Sequence, residues 1–250
     1  MLRMRILGAL LLAAVLGIGS VALADTGSAY DSRIQSKLAE QFNQDKRLRD
    51  VQPTVKDGVV TLQGSVPLYR DKLNAEKKAH KAGKVSAVRD LVEVAGPQIS
   101  DAELTRQLAG KLRYDRVGFG NVFNVLTVAI KDGMVTLGGE VRDPVARESA
   151  VALVTSTPGV KGVVDQIRVA PLSPYDDALR LRVLRAVYGD PFMLKYAMDP
   201  QAPIRVVVDG GHVALYGTVD NKMDKQVAGI RASGVFGAFS VENHLTIASK

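Results

Sequence analysis

The sequence predicts an α+β protein of three tandem α-β-β-α-β units, each a small three-stranded mixed sheet packed with two helices. Three observations carry this. One template occurs three times, as DGVVTLQGSV (57–66), DGMVTLGGEV (132–141) and GGHVALYGTV (210–219). Counted from Gly64, Gly139 and Gly217, each copy has a later apolar segment that starts 24 and ends 30 residues on, at Val88 to Val94, Val163 to Val169 and Val241 to Ile247. Before each template, apolar residues fall at helical spacing. A fixed period with constant internal spacing means one supersecondary unit used three times.

Ile34, Leu38 and Phe42 open the first unit, Leu104, Leu108 and Leu112 the second, Leu179, Val183 and Val187 the third. Spaced by four, they predict three first helices. Ser100 followed by Glu103 fits a capping box, hydroxyl and carboxylate each satisfying a free backbone N–H. Next come β-branched runs broken at Asp57-Gly58, Asp132-Gly133 and Asp209-Gly210, read as hairpin turns in which glycine tolerates positive φ. Gly58, Gly133 and Gly211 are the expected turn glycines, and Gly64, Gly139 and Gly217 the structural glycines within the second strands.

A second helix follows each hairpin, with aligned small or apolar positions Ala75/Ala150/Ala228 and Ala79/Val154/Ala232. A last strand then closes the unit. A right-handed strand-helix-strand crossover sets it parallel to the second strand; which strand it lies beside stays open. Proline and polar residues at 96–98 and 171–174 divide the chain into units 31–96, 100–171 and 175–248. Both linkers are short, so the units are expected to touch.

Residues 1–24 read as a secretory signal peptide. Arg3 and Arg5 form a basic start, an apolar run begins at Ile6, and Ala22-Leu23-Ala24 precedes Asp25. The expectation is an exported chain starting at Asp25, most simply periplasmic, soluble or peripherally attached to a membrane. The chain has no cysteine, so neither disulfides nor thiolate metal sites enter. Beyond residue 24 it carries 31 basic and 26 acidic side chains, a mild excess that favours anionic surfaces without naming one.

The element order, the V-x-L-x-G-x-V strand (60–66, 135–141; Val213 to Val219 has alanine and tyrosine at its variable places), Gly159-Val160 before a last strand and the V-x-(D/N)-x-(L/I/V) endings resemble the BON domain family. Lys84-Val85 and Gly237-Ala238 stand where that family usually has Gly-Val, so irregular turns are expected there. The resemblance implies a non-enzymatic module of the bacterial envelope, typically periplasmic, that binds phospholipid or attaches larger proteins to membranes. It also implies a link to osmotic or envelope stress, since several similar members are induced by it. Expected partners are an anionic phospholipid surface, with envelope proteins or unfolded clients as alternatives.

Two segments are candidate contacts. Residues 69–84, expected as one helix, carry Arg70, Lys72, Lys77, Lys78, Lys81 and Lys84 against Asp71 and Glu76, with Leu73 and alanines as a thin apolar side. Such a helix suits anionic headgroups, each well-placed cation contributing ~1 kcal/mol. The plainer reading is a solvated face, which charge runs usually are. Between first helix and first strand, residues 113–124 hold Phe119 and Phe123, and residues 188–203 hold Phe192, Met193, Leu194, Tyr196 and Met198. Exposed, these suit a membrane interface or a docked partner. The preferred reading folds them back over the small core of their own unit.

No active site is legible. His80, His212 and His244 sit at no ligand spacing, so no metal or cofactor is expected. Gly138-Gly139 and Gly210-Gly211 lack the P-loop lysine and the dinucleotide-binding spacing. The modest charge and the absence of an arginine-aromatic strand argue against nucleic acid.

Overall fold

The computed structural model describes residues 22–116, 118 and 120–248. The expected signal segment lies, up to residue 21, outside the described residues. The first unit comprises α1 (Ala22–Gln44), β1 (Val51–Lys56), β2 (Val59–Val66), α2 (Tyr69–His80), β3 (Ala87–Asp90) and β4 (Glu93–Val94). The second repeats the order as α3 (Asp101–Tyr114), β5 (Val125–Lys131), β6 (Met134–Val141), α4 (Pro144–Thr155), β7 (Gly162–Asp165) and β8 (Arg168–Val169). The third has α5 (Pro174–Tyr188), a short extra α6 (Leu194–Ala197), β9 (Ile204–Asp209), β10 (His212–Val219), α7 (Lys222–Ser233), β11 (Ser240–Asn243) and β12 (Thr246–Ile247).

The second strand of each unit is central. It pairs antiparallel with the first and parallel with the last, which settles the strand order that the sequence left open. The last strand is not continuous, as the apolar run suggested, but split in two. Asp90, Asp165 and Asn243 each turn a side-chain oxygen back to accept the N–H two residues on, from Val92, Ile167 and Leu245. Leu91, Gln166 and His244 still donate to carbonyls of the central strand. The inward alternation runs through the kink unbroken, Val88, Asp90, Val92 and Val94 alternating with exposed residues in the first unit, and Val92, Ile167 and Leu245 are buried in the core.

The first helices bury Ile34, Leu38 and Phe42; Leu104 and Leu108; and Leu179, Val183 and Val187. The second helices bury Ala75 and Ala79, Ala150 and Val154, and Ala228 and Ala232, small residues that let helix and sheet approach. Ser100 accepts the Glu103 N–H, but only half of the expected capping box forms, because the Glu103 carboxylate instead accepts from Arg106 and Gln107. Ser173, Asp143 and Asn221 cap α5, α4 and α7 in the same manner.

Each hairpin is fixed from below by a carboxylate of its first helix, in the first turn of α3 and α5 and in the body of α1, which starts upstream of Asp31 at Ala22. Asp101 accepts from the N–H groups of Asp132 and Gly133 at 2.7 and 2.9 Å, Asp176 from Gly210 and Gly211 at 3.1 and 2.9 Å, and Asp31 from Gly58 at 3.2 Å. The turn residues at positive φ are Asp57-Gly58, Asp132-Gly133 and Gly210-Gly211. The third turn is therefore one residue later than Asp209-Gly210; Asp209 ends β9 and faces His212.

Gly64, Gly139 and Gly217 also hold positive φ, at 115°, 100° and 123°. A Cβ there would land on the carbonyl oxygen of Asp50, Val125 or Pro203, far inside van der Waals contact. Gly139→Ala should therefore cost about 3 kcal/mol or more, from strain at positive φ plus overlap with backbone. Gly110, inside α3 with open space around it, should instead gain ~0.5–1 kcal/mol on Gly110→Ala. Denaturant unfolding of the two variants checks this contrast.

Candidate functional site

The basic segment of the first unit is shorter as a helix than the sequence suggests. α2 ends at His80; Lys81 is its C-cap and Lys84 lies in the turn beyond, where its N–H donates to the Tyr30 hydroxyl at 2.7 Å. Two of the six cations are committed to the fold. Lys72 Nζ donates to the Val92 carbonyl at 2.6 Å and lies 3.8 Å from Asp90, pinning α2 to the strand kink. Lys78 lies 3.7 Å from Asp45, tying α2 to the end of α1. Arg70 approaches Asp71 at 3.9 Å. Lys77, Lys81 and Lys84 are exposed and make no ion pair among the described residues, beside the half-exposed Leu73. Buried Asp71, Ala75 and Ala79 form the opposite face.

Tertiary packing adds cations that the helix pattern did not show. Lys37 of α1 donates to the Ala82 carbonyl at 3.3 Å, and Lys46 and Arg47 share a shallow depression with Lys78. The run Lys46-Arg47 was visible in the sequence; its proximity to α2 was not.

The insertion of the third unit divides. Met193 is fully buried and Tyr196 nearly so, both in the core of their own unit. The Tyr196 hydroxyl donates to Asp224 at 2.7 Å and accepts the Asp220 N–H at 2.6 Å, while Lys195 bridges Asp220 and Asp224. Phe192 is 69%, Leu194 53% and Met198 83% exposed. In the second unit Phe123 does not cap its own core. With Val122 it joins the core of the third unit; Phe119 lies outside the described residues. The two units are also joined by Arg168, which bridges Glu140 and Asp209, by Arg142 to Asp177 at 3.2 Å, and by Arg205 donating to the Asn121 carbonyl.

His212 and His244 are separate. His212 Nδ1 is 2.8 Å from Ser240 Oγ, and His244 stacks on Tyr216 beside Glu242. Among the described residues no group of three or more His, Asp or Glu is placed to hold a metal ion, and no helix is long and apolar enough to cross a membrane.

The fold defines an array of small α+β modules whose surface features are charge and apolar patches. The BON domain family model matches residues 30–96, 100–171 and 192–249, and the chain belongs to that family. The third match starts inside the insertion, downstream of α5. No curated protein matches the chain. Among solved structures it is similar to the C-terminal domain of CdsD, the structural protein of the type III secretion system of Chlamydia trachomatis, at 15% identity over 93% of this chain and 100% of that one, TM-score 0.24. A second CdsD structure from that organism matches at 17% identity over 88% and 94%, TM-score 0.21. The PrgH periplasmic domain matches at 12% over 80% and 96%, TM-score 0.19.

Three carboxyls sit below their ordinary range. For Asp45 the Arg47 N–H is the main cause, helped by the charges of Lys78 and Arg47 against burial. Burial pushes Asp177 and Asp224 up, but Arg142 and Arg180 at the first, and Lys195 and Tyr196 at the second, together pull them further down. A carboxyl depressed in the fold contributes stability above its unfolded pKa and loses it as pH falls through the folded one. The thermal midpoint should hold from pH 7 to about 5 and fall below about 4. The deficit of Asp177→Asn relative to wild type should hold from pH 7 to about 4 and shrink as pH falls further through the depressed Asp177 pKa, where the wild-type carboxyl loses its charge. Thermal scans across that range check both expectations.

Proposed function

We propose that the protein is a non-enzymatic binding module of the bacterial envelope, most simply periplasmic, that associates peripherally with anionic phospholipid membranes through the basic face of its first unit. The observation that carries this is the set of unpaired, exposed cations Lys77, Lys81 and Lys84 beside Leu73, with Arg70, Lys37 and Lys46 nearby. Cations held by internal carboxylates have little left for a headgroup; Lys77, Lys81 and Lys84 have no such partner among the described residues. Membership of the BON family supports the reading, and a role in envelope or osmotic stress follows from the same resemblance.

A basic face near an anionic bilayer gains ~1 kcal/mol per suitably placed cation, and the gain fades within a Debye length of ~10 Å at 0.1 M salt. Binding should therefore be steep in salt and nearly absent on neutral vesicles. Phe192, Leu194 and Met198, with Phe236 at 93% exposure, favour a second reading in which the third unit holds unfolded clients or docks on an envelope protein. That activity would depend little on salt.

The expected outcome of co-sedimentation is binding to phosphatidylglycerol vesicles at low salt, weakened at high salt and on phosphatidylcholine. Changing Lys77, Lys81 and Lys84 to Gln should weaken it roughly a hundredfold at unchanged stability, since none of the three holds a carboxylate. Binding to neither vesicle would overturn the membrane reading and turn attention to clients.

A further inference from the structure

Three core positions recur in every unit, and in the second they are left uncovered. The last apolar residue of the first helix is Phe42, Leu112 or Val187. The strand residue opposite the central glycine is Val51, Leu126 or Ile204, and the inward residue two further on is Pro53, Val128 or Val206. In the first and third units all six are buried. Leu112, Leu126 and Val128 are only half-buried.

The cause lies in the connection between first helix and first strand. In the first unit it places Leu48, fully buried, on the core; in the third it places Met193 and Tyr196 there. In the second unit Val122 and Phe123 leave for the core of the third. What remains is a cleft of about 470 Å³ between the two units, with Leu112, Leu126 and Val128 on its apolar side. Such a volume lies within the range of small-molecule sites, and a core face left in water costs ~25 cal/mol per Å² of apolar surface.

The rest of the lining is largely polar. Arg113 and Arg205 line the cleft, and neither has a carboxylate within ion-pair distance among the described residues. Two carboxylates also line it but are engaged locally: Asp115 accepts the Ser149 hydroxyl at 2.7 Å, and Asp199 accepts the Gln201 N–H at 2.8 Å. Burial, then the like charge of Arg113, lowers the Arg205 pKa, with Tyr188 and Asp199 opposing. A desolvated guanidinium beside a second cation is relieved by an anion.

We propose that this cleft binds a single-chain amphiphile, its apolar tail against Leu112, Leu126 and Val128 and its anionic head on Arg113 and Arg205. The site lies in different units from the membrane-facing helix and works by enclosure rather than by surface charge.

The test uses the purified protein with anilinonaphthalene sulfonate, an apolar ring system carrying an anion, and dodecanoate as competitor. Saturable fluorescence at one probe per chain, displaced by dodecanoate, is expected. Ala109→Trp, which fills the cleft from the exposed side of α3, and Arg113→Gln, which removes the outer cation, should each weaken dodecanoate at least tenfold with unchanged circular dichroism and thermal midpoint. Arg113→Gln decides the matter if Ala109→Trp does not fold. No displacement by dodecanoate, or undiminished binding by the folded variants, overturns the proposal; equal binding of dodecanol overturns its head-group assignment. Vesicle sedimentation of Ala109→Trp separates two sources of the chain. Retained vesicle binding with loss of dodecanoate supports a free amphiphile, and joint loss supports the acyl chain of a membrane lipid. Failure of wild-type vesicle binding alone would concern the first unit and leave the cleft standing.

Discussion

In all three units the start of the first strand crosses the central strand so closely that its backbone carbonyl occupies the space of a missing Cβ. Gly64, Gly139 and Gly217 are where this happens, at positive φ, against Asp50, Val125 and Pro203. The rest of each unit follows from that approach. The hairpin can coil over the helices, the carboxylates of Asp31, Asp101 and Asp176 reach the hairpin turn, and the last strand finds the free edge of the central one. An open sheet of three strands has few ways to bury a face on two helices, so the residues that enforce its curvature are those that cannot vary between copies.

What varies is how each unit closes the end of its core. The first uses Leu48, the third Met193 and Tyr196, and the second gives Val122 and Phe123 to its neighbour. The exchange joins the second and third units through a shared core as well as through the ion pairs of Arg168 and Arg142. Shared apolar burial is a firmer link than exposed ion pairs, which contribute ~0–1 kcal/mol each. The first unit has no such insertion and keeps its basic surface free of that interface.

The repeat, its element order and its glycines were legible in the sequence because each follows from backbone geometry or from a period of two or four residues. The split of the last strand was less so, although Asp90, Asp165 and Asn243 stand at one position and a side chain that competes for backbone N–H groups is the usual cause of such a kink. The clamps of Asp31, Asp101 and Asp176 were not legible, since an acid three residues before the first apolar position of each unit fits a helix start equally well. The destination of Phe123 was not legible, since an apolar residue in a connection looks the same whichever core it enters. Nor was the commitment of Lys72 and Lys78, whose partners Val92, Asp90 and Asp45 are far away along the chain.

Among the cations of the first unit, pairing separates those that hold the fold from those left to meet a surface. Lys72 and Lys78 belong to the first group; Lys77, Lys81 and Lys84 belong to the second. Hydrogen exchange of the protein with and without phosphatidylglycerol vesicles tests this division most directly. Slowed exchange in residues 69–84 of the first unit, abolished by high salt, is the expected result. Unchanged exchange there, with protection confined to the third unit, would contradict it.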